Sequence, residues 1–169
     1  MNRKTAIKRL ALLGAGGLLI YTGYRGYRIY REPPLGRLDQ YEAVINEIAG
    51  VIIPATYTPG AKEANVGGFI IRMVKDCTPR PSQNNFIDGI EDLVSYSHSR
   101  YDKPFEKCSP DEQVAILTRF ERNGKPFDGI AGKIEKRVKG ESFFMTLKKY
   151  TVLGYGSSKI GCTEGFAYD

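Results

Sequence analysis

Between Arg9 and Arg25 the chain carries no charge. This run, with Arg3, Lys4, Lys8 and Arg9 on one side and Arg25, Arg28 and Arg31 on the other, limits the fold more than any other stretch. A helix over Ile7–Tyr24 would be roughly 27 Å long, close to the hydrocarbon thickness of a bilayer. Helices in soluble cores are seldom bracketed by cations in this way, so residues 1–31 read as a membrane or signal-anchor helix. Two competing readings fail on particular residues. Gly14-Ala15-Gly16-Gly17 opens like a dinucleotide loop, but Leu19 takes the place of the third glycine and no βαβ pattern follows. A cleaved secretory signal needs small residues at its cleavage site, where this chain has Tyr21, Tyr24 and Arg25.

The first residues also follow a twin-arginine export template. Arg3, Ile7 and Lys8 are in place, and Lys4 stands for the second arginine. That route moves proteins already folded, so the chain or a bound partner is expected to fold before crossing. At the far end of the run, Tyr21, Tyr24 and Tyr27 alternate with Arg25, Arg28 and Arg31. Rings and guanidinium groups of this kind suit a headgroup belt at the membrane interface. The expected location is the inner membrane, with the domain on the periplasmic side. The cations at 25–31 oppose that charge bias, so the orientation rests on the export template.

With 169 residues and 41% hydrophobic content, the chain has room for this segment plus one domain with its own core. The net charge of +6 is unevenly placed: residues 1–37 hold eight Lys/Arg and one acidic residue, leaving 17 basic and 18 acidic residues in the rest. A near-neutral domain does not suit nucleic acid, which demands a basic face. Cys77, Cys108 and Cys162 are too dispersed for a zinc knuckle, no C-x-x-C occurs, and His98 is the single imidazole. No catalytic residues, metal ligands or cofactor site are therefore expected in this chain. In an oxidising compartment Cys77 and Cys108 are a candidate disulfide, with Cys162 left over in the tail for another subunit; three free thiols are the alternative.

Beyond the membrane segment, residues 32–37 contain Pro33 and Pro34 and read as a short stiff linker to a domain over 38–169. Asp39 is a candidate N-cap for a helix bearing Val44, Ile45, Ile48 and Ala49. Residues 52–61, with Pro54, Pro59 and Gly60, read by pattern as a connector. Further amphipathic runs follow, one carrying Phe69, Ile70, Met73 and Val74 and ending near Cys77. The next carries Phe86, Ile87, Ile90 and Leu93 and ends around His98. Ser109-Pro110-Asp111-Glu112 is a capping box with proline at the first helical position. Residues 123–140 predict a loop with a short helix, and Phe143, Phe144, Leu147, Tyr150 and Thr151 a last long one. The glycine-rich tail from Gly154 looks too irregular for the core and suited to lying on a partner, through Tyr155, Cys162, Phe166 and Tyr168. No stretch alternates long enough to require a sheet, so the fold class is all-α.

Three segments carry a resemblance. They are Ile52-Ile53-Pro54-Ala55-Thr56 with Thr58-Pro59-Gly60-Ala61 and the helix to Cys77; Lys103-Pro104-Phe105 with Cys108-Ser109-Pro110 and Gln113; and Phe143-Phe144 through Leu153-Gly154-Tyr155 to Ile160-Gly161 and Tyr168-Asp169. In order and spacing they resemble the gluconate 2-dehydrogenase subunit 3 family. The resemblance implies a non-catalytic small subunit that aids export, folding and anchoring of a large FAD-binding dehydrogenase subunit of the glucose-methanol-choline type. FAD then resides in that partner, and haem c in a cytochrome c subunit that takes the electrons onward. The alternatives are an adaptor in another envelope complex and a membrane-anchored enzyme acting alone.

Overall fold

The computed structural model describes Gly23, Gly26, Tyr27 and residues 30–125 and 129–165, and among these every regular element is helical. The expected membrane helix falls on residues that lie, for the most part, outside this set; no described helix is long and apolar enough to cross a membrane. The segment expected as a stiff linker, residues 32–37, is pinned at both ends. Asn84 Nδ2 donates to the Arg31 carbonyl (2.8 Å), Arg31 pairs with Asp88 (2.6 Å), and Leu38 is fully buried, so the domain begins near Arg31.

Two 3₁₀ turns, Leu35–Arg37 and Asp39–Tyr41, lead into α1 (Glu42–Ile52). Asp39 does not cap it. Its carboxylate reaches Lys75 at 2.6 Å, and Tyr41 takes the N-cap place with no side-chain bond. α2 (Gly67–Cys77) follows, packed on α1, and its last carbonyls are satisfied from the next helix: Gln83 Nε2 donates to Val74 (3.0 Å) and Lys75 (2.9 Å). α3 (Arg80–Tyr101) begins earlier than expected, because Pro81 lies in the first turn, where a missing N–H breaks no ladder. It also ends later than expected, at Asp102, whose φ of 55° is a left-handed cap.

A 3₁₀ turn at Phe105–Lys107 precedes α4 (Pro110–Gly124). The capping box forms as read: the Glu112 amide donates to Ser109 Oγ (3.4 Å) and the Ser109 amide to Glu112 Oε2 (2.7 Å). Lys103 joins it at 2.7 Å, and its hydrogen bond, followed by that from the Ser109 backbone, holds the Glu112 carboxyl below the usual carboxylate value. A carboxyl lowered in the folded state stabilises above the unfolded-state value, and that contribution is lost as pH falls through the folded one. Glu112→Gln is thus expected to lower the melting temperature slightly at neutral pH and to flatten its decline in acid. Melting curves of both proteins across the carboxylate range check this; parallel declines would refute it.

α5 (Gly129–Lys139) and α6 (Phe143–Ser157) complete the helices, and a π-helical turn, Gly161–Gly165, closes the described chain. α6 is the centre of the domain, packing against α1, α2, α3 and α4. Phe143 sits directly over Gly89 of α3, where any Cβ would collide with its ring. Around it, Phe86 lies edge-on at 5.3 Å and Phe120 of α4 at 6.1 Å, joining three helices. α5 is peripheral. It borders an open cleft of about 540 Å³ flanked by Asp88, Phe120, Lys136 and Glu141, and is clamped at its C-terminal end by Asn85, which donates to the Lys139 (2.8 Å) and Glu141 (3.0 Å) carbonyls.

Candidate functional site

The residues that link α1 to α2 form a closed surface loop. Ile53–Ala61 closes on itself: the Ala61 amide donates to the Ile53 carbonyl (3.0 Å) and the Thr56 amide to that of Thr58 (2.9 Å). Glu63 accepts from the Gly60 amide at 2.9 Å. Gly60 is buried with backbone atoms of Ile53, Pro54 and Ala55 against it, so only a glycine fits. This geometry pushes Tyr57 to the tip, fully exposed, with Pro54, Ala55 and Thr56 also facing solvent.

The prop beneath the loop comes from the other end of the chain. Tyr155 is buried, and its hydroxyl donates to the Pro59 carbonyl at 2.7 Å. It therefore holds the loop from inside and is not the exposed contact expected from sequence. The tail is ordered around it. Ser158 Oγ donates to the Tyr155 carbonyl (2.7 Å) and accepts from the Gly161 amide (2.9 Å), while Gly161 and Gly165 lie too close to Tyr155 for any side chain. The Cys162 thiol is half-buried and donates to the Gly156 carbonyl at 3.1 Å, so it is turned inward. Phe166 and Tyr168 lie outside the described residues.

All three cysteines are free. Cys77 is exposed just before α3, whereas Cys108 is buried at the far end of that helix, 3.3 Å from Ser97 Oγ. The rise from Arg80 to Ser97 is roughly 25 Å, far beyond disulfide reach, so the expected Cys77–Cys108 bond does not belong to this fold. Of the expected interface residues, Tyr27 is exposed, and Arg31 is turned onto the domain by Asp88. Arg3, Lys4, Ile7, Lys8, Tyr21, Tyr24, Arg25 and Arg28 are outside the described set. His98 is exposed near the end of α3, and among the described residues no three His, Cys, Asp or Glu side chains gather as a metal-holding group.

Charge at the loop's base is paired. Lys62 bonds Glu47 at 2.7 Å, which raises its ammonium above the ordinary value. At the base of α5, burial pushes the Glu141 carboxyl up, but hydrogen bonds from Lys136 and Lys149 (both 2.7 Å) outweigh it and leave it low. The first pair braces the base of the loop, and the second set ties the end of α5 to α6.

The family model for gluconate 2-dehydrogenase subunit 3 matches residues 39–169, which takes in the loop, its Tyr155 prop and the tail. The chain belongs to the gluconate 2-dehydrogenase subunit 3 family. No curated protein and no solved structure matches it. A subunit 3 is by name one part of a complex, so membership implies a catalytic partner elsewhere. The match starts at Asp39, so residues 1–38 lie outside it.

Proposed function

We propose that this subunit 3 protein is the non-catalytic small subunit of a membrane-associated, FAD-dependent sugar dehydrogenase complex on the periplasmic side of the inner membrane. The observation that carries the reading is the family match over 39–169, spanning nearly the whole described domain. In this reading a flavoprotein of the glucose-methanol-choline type binds the FAD and the sugar, and docks on the Tyr57 loop. A rigid loop braced by Tyr155 suits that role, because a preorganised surface loses little conformational freedom on binding. The twin-arginine-like start then serves both chains: the small subunit brings the export signal, and the folded flavoprotein crosses as its passenger. A cytochrome c subunit takes the electrons onward, and residues 1–31 tether the assembly.

Co-expression of this chain with a flavoprotein dehydrogenase encoded beside it tests the proposal. The expected result is a yellow complex on an affinity tag placed on this chain, and periplasmic dye-linked sugar oxidation that disappears when this chain is omitted. If the flavoprotein reaches the periplasm equally active without it and does not co-purify, the proposal fails.

A further inference from the structure

The polarity of α5 is inverted. Ile130, Ile134 and Val138 are spaced as one helical stripe, yet they are 78%, 58% and 50% exposed. Gly132, about 200° round the helix from Ile130, is the buried position, so the apolar stripe points away from the bundle. Exposed Lys133 and Arg137 lie beside the stripe, and the sequence 129–139 holds four Lys/Arg against Glu135 alone. The chain also enters the domain here: Tyr30 Oη donates to the Val138 carbonyl at 2.8 Å, with exposed Tyr27 one turn before it. An apolar stripe with cationic shoulders is the composition that lies in a headgroup layer, apolar side inward.

We infer that α5 is an interfacial helix that rests on an anionic lipid surface, inserting Ile130, Ile134 and Val138 among the acyl chains. It rests on the membrane reading of residues 1–31 for its approach to the bilayer and adds a second, parallel contact. Two contacts would fix the tilt of the domain, where a single tether leaves it free to swing, and would hold the opposite surfaces open to a partner. The stripe's cationic flanks favour anionic phospholipid over a protein partner, whose interface core is depleted of charge.

The sequence has no tryptophan, so one introduced indole reports its site alone. Full-length chain carrying Ile134→Trp is mixed with vesicles of phosphatidylcholine, or of phosphatidylcholine with phosphatidylglycerol, each also made with brominated acyl chains. The expected result is blue-shifted emission and bromine quenching on the anionic vesicles, weaker on the zwitterionic ones. Lys133→Glu with Arg137→Glu is expected to abolish both signals while the chain still co-sediments through its N-terminal segment. Tyr57→Trp, at the loop tip, should remain unquenched. Unshifted emission from Ile134→Trp overturns the inference: with co-sedimentation intact the tether survives alone, and without it both membrane contacts fall. A shift produced by the flavoprotein subunit in the absence of lipid also overturns it, and assigns α5 to the partner.

Discussion

Phe86→Ala is expected to lower the stability of the folded chain by about 3–5 kcal/mol, a large part of the margin of a domain this size. Phe86 is fully buried on α3 and meets Phe143 of α6 edge-on at 5.3 Å; Phe143 in turn meets Phe120 of α4 at 6.1 Å. The cavity left by truncation cannot readily collapse. Phe143 is already pressed onto the α3 backbone at Gly89, so α3 and α6 have no slack with which to close the space. The loss of aromatic contact adds to the lost burial. Urea denaturation of the purified chain measures the effect, with Val114→Ala as reference, because Val114 is 52% exposed on α4 and is expected to change little. Equal midpoints for the two variants would mean that this aromatic cluster does not hold the three helices together.

The elements legible in the sequence were those whose signals are local. Ser109, Pro110 and Glu112 lie within one turn, so the start of α4 could be read from them, and the burial of Ile45 and Ile48 or of Ile70 and Val74 follows from helical spacing alone. The misreadings share a different cause. Asp39 has the chemistry of a cap, but Lys75 claims it from 36 residues away, and Arg31 has the chemistry of a headgroup contact until Asp88 claims it from 57. Spacing could not tell that a 22-residue helix separates Cys77 from Cys108. The glycines of the tail suggested irregularity; Gly154 and Gly161 instead mark close approaches, to Phe69 and to the Tyr155 carbonyl.

The candidate site was legible as a set of residues and not as a site. Pro54, Pro59 and Gly60 announce a turn, but the partner that makes it a rigid platform is Tyr155, 96 residues on, whose hydroxyl bond no local pattern encodes. α5 shows the same limit from the other direction. The apolar period of Ile130, Ile134 and Val138 is present in the sequence, and which way that stripe faces is decided by Gly132 and the Asn85 clamp.

Gly60→Ala is expected to open the Ile53–Ala61 loop and, on the reading proposed above, to weaken capture of the flavoprotein by about tenfold or more. A Cβ at this position would stand 2.6 Å from the Ala55 nitrogen and the Ile53 oxygen and 2.8 Å from the Pro54 carbonyl carbon. All three are backbone atoms, so no rotamer change relieves the overlap. Overpacking of this kind costs about 1–3 kcal/mol, and tenfold in affinity corresponds to about 1.4 kcal/mol. The weakest points to give are the Ala61–Ile53 closure and the Tyr155–Pro59 bond, both at the loop's base and both remote from the Phe86–Phe143–Phe120 cluster. Faster hydrogen exchange at the buried Ala61 amide, with exchange in α3 unchanged, would mark a local opening. Gly36→Ala is the control, since its Cβ meets nothing within 4 Å. Unaltered exchange at Ala61 would show that the loop tolerates the methyl group and is not the closed structure described. An opened loop with undiminished partner capture would place the flavoprotein on another face, because a surface whose shape has been lost cannot carry affinity that remains.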